Sequence, residues 1–357
     1  MSFPLATIDG GALRSNLGVV RRAAPRARVL AIVKADAYGH GIVRTARTLA
    51  DADGFGVARL TEALTLRGAS LRQRIVLLEG VFDLEELGAA AQHELDLVVH
   101  SPEQLAMLEE APWEARFDVW LKIDTGMNRL GFRPEAFADA VTRLERCRAV
   151  RSIRLMTHLA SAEEPDGVMS SRQLETFAAL TATHAYERSI ANSAAVLRLP
   201  QAHADWVRPG LMLYGISPLG DTSAATLGLK PAMTLTAPLI GVRNVKAGES
   251  VGYGATWRAG RQTRVGIAAI GYGDGYPRNM KTGAPVLVDG IEAQIVGRVS
   301  MDMIAIDLTR VPNARVGSQV VLWGHGLPAE RVAAYADTIP YELVCRVNER
   351  VAVRWVD

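Results

Sequence analysis

The stretch AIVKADAYGHG, residues 31–41, decides the fold. The apolar run VLAIV (29–33) ends at Lys34 and breaks at once into a short segment with two glycines. An apolar run of that length, bounded by turn residues, reads as a buried strand. Comparable runs follow: GFGVA (54–58), IVLL (75–78), DLVVH (96–100), VWLKI (119–123), IRLMT (153–157), SIANS (189–193) and DWVRPG (205–210). Most are separated by segments with helical periodicity. One of these, SPEQLAMLEEA (101–111), opens with Ser101 as N-cap and Pro102 at the first helical position. Eight such units predict an α/β architecture, a (β/α)8 TIM-like barrel over about residues 1–230, with the first few residues a lead-in outside it. The eighth strand rests on a single run interrupted by Pro209.

Beyond about residue 230 the pattern changes. KPAMTLTAPLIGVRNVKAGESVGYGATW alternates apolar and polar residues and scatters Gly and Pro. TRVGIAAI, APVLVDG, IEAQIVG, MIAIDL and QVVLWG follow, with one helical piece, PAERVAAYADTI. Residues 231–357 therefore read as a second, mostly β domain.

Composition narrows the function classes. The 357 residues are 49% hydrophobic and 22% charged, with a net charge of +2, and no basic block suggests a nucleic-acid surface. The two cysteines, Cys147 and Cys345, lack metal-ligand spacing and fit a reducing compartment. The N-terminal residues do not pattern as a signal peptide, and no apolar run reaches the ~18 residues of a membrane span. The expectation is a cytoplasmic protein with a small-molecule substrate, no nucleic-acid partner and no membrane.

In such a barrel the site forms where the strands end at their C-terminal side. Lys34, Lys122, Arg129, His158, Asn192, Ser193 and Arg208 fall there, with Gly210 and Leu211 following. Taken singly, each has a plain structural explanation: a solvated amine, a core histidine, a helix cap. Together they surround one mouth with cations and suit an anionic ligand, with backbone N–H groups at Gly210 and Leu211 placed for a phosphate. An amine among other cations is pushed toward its neutral form and can attack an aldehyde. Lysine, phosphate site and cations together describe a pocket for pyridoxal 5′-phosphate.

AIVKADAYGHG, LKIDTGMNRLGF, MTHLA, ANSAA, RPGLMLYG, VGYGATW, GYGDGYPR and GRVSMD occur in this order across nearly the whole chain. The set resembles alanine racemase, a fold-type III pyridoxal-phosphate enzyme. That resemblance implies a two-base interconversion of L- and D-alanine, supplying D-alanine for peptidoglycan or serving alanine catabolism. It implies Lys34 as the cofactor-bearing base and Tyr253 as the opposite base, delivered from the second subunit of a homodimer. Tyr38, Ser193, Gly210 and Leu211 would hold the phosphate, with Asn192 beside them. Arg208 would face the pyridine nitrogen and His158 would lie by the ring. Arg129 would contact the substrate carboxylate region. Met301 and Asp302 would approach from the partner, and Tyr272 would line the entrance. Lys122 is the family's frequently carbamylated lysine; the alternative is a plain strand lysine paired with a carboxylate.

Three departures stand out. Ser300 replaces a frequent Cys before the Met-Asp pair, Ser189 occupies a position that is His in some members, and Glu349 falls where some carry a gate tyrosine. A broader amino-acid racemase, a non-catalytic cofactor-binding barrel and a cofactor-free phosphate-binding barrel are the competing readings. The β domain with Tyr253 and the VSMD motif argues against the single-barrel protein.

Overall fold

The structure, a computed structural model, describes residues 4–111 and 114–357. After β1 (Leu5–Asp9), eight parallel strands close into a barrel. They are β2 (Arg28–Ile32), β3 (Gly54–Val57), β4 (Arg74–Leu77), β5 (Asp96–Val99), β6 (Phe117–Lys122), β7 (Val150–Met156), β8 (Glu187–Asn192) and β9 (Trp206–Arg208). Each of the eight segments read as a strand is one. GFGV in β3 and DLVV in β5 are buried at every position, as strands covered on both faces must be. β9 is only three residues long and ends at Pro209, which has no N–H to continue a ladder. Outside the barrel, the helix Pro102–Glu110 is capped as its sequence predicts: the Ser101 hydroxyl accepts from the Gln104 N–H at 3.4 Å.

Charge fills the barrel's N-terminal end. Asp118 accepts from Arg151 (2.8 Å), from Arg74 (3.2 Å) and from the Ser152 hydroxyl. Arg74 also donates to Asp96, and Arg154 donates to Glu187 at 2.8 Å. Two indole N–H groups complete the set: Trp120 donates to Asp96 (2.8 Å) and Trp206 to Glu187 (3.0 Å). The two indoles meet edge to face at 5.3 Å, with Arg154 over one and Arg28 over the other. This plug closes one end, so the opposite end is the mouth.

The second domain is mostly β, built from β10 (Met233–Val245), β11 (Ser250–Val251), β12 (Trp257–Arg258), β13 (Thr263–Ala268), β14 (Pro285–Val288), β15 (Ile291–Val296), β16 (Ile304–Asp307), β17 (Gln319–Trp323) and β18 (Ala352–Val356). β10 is long enough to pair with β17 along its first half and β13 along its second. That closes a ring through β16, β15 and β14. The lead-in β1 joins this sheet rather than the barrel, lying between β10 and β18. The helical piece read at 328–339 is a helix over Ala329–Ala333 and a 3-10 turn over Ala334–Ala336. A second short helix, Pro340–Cys345, follows it and was not expected.

The plug carries a pH signature. Burial pushes the Asp118 carboxyl up, but hydrogen bonds from Arg151 and Ser152 outweigh it and hold the group well below the usual carboxylate range. Glu187 is likewise pulled down to about 2, its burial outweighed by hydrogen bonds from Arg28, Trp206 and Arg154. Depressed carboxylates contribute stability that is complete above about pH 5, where the unfolded groups are ionised too, and is lost as pH falls from there toward their folded-state values. Asp118→Asn is expected to cost about 2 kcal/mol at pH 7, since Arg151 remains partly hydrated. Thermal unfolding from pH 7 to pH 3 should show a shallower pH dependence in the variant than in the parent chain.

Candidate active site

Lys34 follows β2, and the next four residues do something sequence alone does not announce. Ala35, Asp36, Ala37 and Tyr38 all have φ between 52° and 54° and ψ between 41° and 54°, a full left-handed turn without a glycine. The short glycine-bearing segment read after Lys34 is thus a compact turn over 35–38. Left-handed backbone costs about 1–2 kcal/mol per non-glycine residue, so strong local bonds must hold it. The Glu62 carboxylate accepts from the Ala35 N–H at 2.6 Å and, with its other oxygen, from Ala58 and Arg59 N–H. Asp36 accepts from the Ile42 N–H (2.7 Å). Buried His40 donates from Nδ1 to the Tyr38 carbonyl at 2.8 Å. Both Tyr38 and His40 pack on the Tyr214 ring, at 4.7 and 4.6 Å.

The turn aims Tyr38 at Gly210. A Cβ built on Gly210 would stand 2.5 Å from Tyr38 Oη, so only glycine leaves the phenol its place. Ser193, whose hydroxyl accepts from the Gly210 N–H (2.8 Å), fixes the same backbone from β8's end. Among the described residues no protein acceptor takes the Leu211 N–H, the first of a 3-10 turn.

Opposite lies a cation cluster. Arg208 is buried and donates to Ser189 Oγ (2.6 Å) and to the Thr157 (2.6 Å) and Ile190 (3.1 Å) carbonyls. All these acceptors are neutral. Burial pulls the guanidinium down to about 10, so it stays charged at neutral pH. Arg208 also donates to His158 Nδ1 at 3.3 Å, which leaves the imidazole proton on Nε2. Burial first, then the charges of Arg208, Lys122 and Arg129, drive His158 well below its ordinary range. Lys122 is buried, and its amine is pulled down to about 8 by burial, Arg208, Arg129 and Lys34, with Asp124 opposing.

Arg129 rides on the 124–132 loop. The Asp124 carboxylate accepts from Gly126 and Asn128 N–H, both at 3.0 Å. Buried Gln173 bridges Thr125 Oγ1 and the His158 and Ala160 backbone.

Ten of the residues singled out from sequence line one cavity of about 440 Å³: Lys34, Tyr38, Lys122, Arg129, His158, Asn192, Ser193, Arg208, Gly210 and Leu211. Tyr253, Met301, Asp302 and Tyr272 do not. They lie on the second domain, with Tyr253 67% exposed. The Tyr272 turn is bonded to the Met301 stretch, Gly273 N–H donating to the Met301 carbonyl at 2.8 Å. Arg350 ties Asp302 (2.6 Å) to Asp274 (3.2 Å). Sequence reasoning missed Glu62, Gln173, Glu79, Tyr341 and Cys345; the last three line the cavity. Only Glu62 had a local signal, a carboxylate three residues into a helix.

Two family models, the alanine racemase N-terminal and C-terminal domains, match residues 8–218 and 232–355. The chain belongs to the alanine racemase family. It is 53% identical over 353 residues to an alanine racemase of Nitrosospira multiformis, covering 98% of this chain and 99% of that one. It is 50% identical to an alanine racemase of Pectobacterium carotovorum, covering 100% and 99%. The crystal structure of a biosynthetic alanine racemase from Pseudomonas aeruginosa superposes with a TM-score of 0.98 at 49% identity, over the whole of both chains. The structure of an alanine racemase from Acinetobacter baumannii gives 0.94 at 37%, again over both whole chains.

In this racemase chain the Tyr38–Gly210 contact is a steric constraint on the cavity, with no room for a side chain at 210. Gly210→Ala is expected to displace the Tyr38 ring. A crystal structure should show the phenol moved from its place, and steady-state assays should show at least a tenfold loss of activity, since small misplacements in a site cost that much or more.

Proposed function

We propose that this chain interconverts L- and D-alanine with pyridoxal 5′-phosphate, by two bases on opposite faces of the substrate. The observation that carries the reading is the cavity itself: four basic side chains, Lys34, Lys122, Arg129 and Arg208, with Glu79 as the one lining carboxylate among the described residues, at a barrel's C-terminal mouth. The donor set fits the cofactor. An anionic phosphate suits the Gly210–Leu211 backbone with Tyr38 and Ser193. A pyridine nitrogen suits Arg208, whose own bonds go only to neutral acceptors. Lys34 is the amine for the aldehyde, and His158 would lie by the ring.

When bound, the cofactor supplies a sink for the electron pair left at the α-carbon. Lys34 Nζ moves the proton on one face. Tyr253 Oη moves it on the other. Arg208 holds its charge and gives no proton to the ring, which restrains side reactions such as transamination. Arg129, with Met301 and Asp302, orients the substrate carboxylate, and Tyr272 lines the way in. We place the division between the two domains near residue 230 and the enzyme's work in the cytoplasm, supplying D-alanine for peptidoglycan or serving alanine catabolism. Among the described residues no helix is long and apolar enough to cross a membrane.

Tyr253 stands outside the cavity of its own chain, beside a groove of about 850 Å³ lined by Ile240, Val251, Arg298 and Met303. Those features support a homodimer in which each barrel receives Tyr253 from the other copy. Mixing inactive Lys34→Ala with inactive Tyr253→Phe chains is then expected to restore one working site per mixed dimer. No recovery after verified subunit exchange would sink the shared site. The whole reading is tested by chiral analysis of L-alanine incubated with the purified chain, with and without the cofactor. Comparable turnover of lysine, arginine or serine would favour the broader racemase.

Carbamylation of Lys122 belongs to the same proposal, and its burial among Arg129, Arg208 and Lys34 supports it. Its neutral amine adds to the carbon of carbon dioxide and releases a proton, leaving an anion among Arg129 and Arg208. With isotopically labelled bicarbonate, a carbamate resonance should appear and vanish in Lys122→Ala. Where Lys122 is unmodified, stability should rise between pH 8 and 10.5. Over that range the unfolded lysine still binds a proton that the folded one has released.

A further inference from the structure

We propose that Gln173, which lies outside the cavity, is a positioning residue for the substrate: through Thr125, its side-chain amide sets where Arg129 stands relative to His158. The inference rests on the reading above in which Arg129 meets the substrate carboxylate.

Gln173 sits on the helix Val168–Thr181, on a buried face shared with Ser170, Phe177 and Thr181. Spacings of three and four residues put all four on one side of the helix. A primary amide is costly on a buried face unless its polar atoms are used. Here they are. Nε2 donates to Thr125 Oγ1 (3.2 Å) and to the His158 carbonyl (3.0 Å), and Oε1 accepts from the Ala160 N–H (2.8 Å). A carbonyl on one side and an N–H on the other permit only this orientation of the amide. One side chain therefore joins two segments, the 124–132 loop and the stretch that leaves β7 at His158.

Thr125 is the link to Arg129. It is buried, and its hydroxyl shares a hydrogen bond with the Thr157 hydroxyl at 2.8 Å. The Thr157 carbonyl in turn accepts from Arg208 at 2.6 Å. The foot of the loop is closed separately, by backbone bonds from Phe132 N–H to the Lys122 carbonyl (2.8 Å) and from Asp124 N–H to the Phe132 carbonyl (2.9 Å). Gly126 rests on the same helix as Gln173: a Cβ there would stand 3.1 Å from Met169 Cε and 3.6 Å from Gln173 Cγ. Arg129 itself is exposed, so its place follows from that of its loop. Without the amide the loop keeps its foot and loses its side anchor, and the guanidinium moves relative to Arg208 and His158.

The test uses full-length holoenzyme, with steady-state kinetics on L-alanine and competitive inhibition by propionate, a carboxylate with no amine. Gln173→Leu is expected to raise KM and weaken propionate about tenfold, the worth of one misplaced charge-assisted hydrogen bond. Over the same change kcat and the visible absorbance of the cofactor should alter less than about threefold, because the interaction lost is one of binding. Thr125→Val should reproduce that split, and Thr125→Ser should behave as the parent. The double variant Gln173→Leu, Thr125→Val should lose no more than either change alone, since both cut one connection. On an Arg129→Ala background Gln173→Leu should add nothing further. A fall in kcat with KM and propionate unchanged would overturn the proposal, as would additive losses in the double variant or an undiminished effect without Arg129. If Gln173→Leu does not fold, the Thr125 pair decides in its place: equal behaviour of Val and Ser overturns the link. If the parent chain neither binds cofactor nor racemises alanine, the functional reading fails instead, and the two failures are told apart.

Discussion

The strained turn after Lys34 is the constraint on which the rest of the site depends. Four consecutive non-glycine residues in left-handed backbone do not persist without outside support. Here the support comes from three parts of the chain. Glu62 holds the entry, Tyr214 holds the rings of Tyr38 and His40, and the helix at 340–345 presses on Gly39. The turn brings a lysine and a tyrosine only four residues apart to one cavity, with Tyr38 over Gly210. A right-handed turn would have offered the same spacing with a different hand, and Tyr38 would not meet the backbone that β9 delivers.

The second organising feature is a buried cation, Arg208, that among the described residues has no carboxylate partner. Buried guanidinium groups are usually paired with carboxylates, as Arg74 and Arg154 are at the barrel's other end. Arg208 instead spends its donors on a hydroxyl and carbonyls. Its field then falls on His158 and Lys122, whose proton affinities it lowers. Ser189 is central to this. Its hydroxyl donates to the Trp206 carbonyl (3.0 Å), which turns an oxygen lone pair toward Arg208. An imidazole at that position would bring a group able to carry a second positive charge beside the first.

Much of the barrel was legible because its strands are short apolar runs at regular spacing, and burial on both faces writes that pattern directly. The mouth residues were legible only as a set: each alone has a plain structural use, but several cations ending successive strands fall around one mouth. Less was legible where the cause is three-dimensional. The handedness of 35–38 depends on Glu62 and Tyr214, which are distant in sequence. Nothing in PYELVC marks Tyr341 as a wall of a cavity formed 300 residues earlier. The lead-in strand was separable from the barrel in sequence, but its partners, β10 and β18, were not readable from five residues.

That strand has a bearing on how the molecule is made. Leu5 to Asp9 precede the whole barrel in the chain, yet they pair with residues 233–236 and 352–356. The barrel's own strands are complete by Arg208, long before that. Synthesis therefore leaves a short β segment waiting unpaired while a whole domain can condense behind it. Its second ladder is closed by β18, far beyond the barrel's last strand. Loss of β18 would thus strip a partner from β1, and a chain lacking it would carry an open sheet edge at that strand.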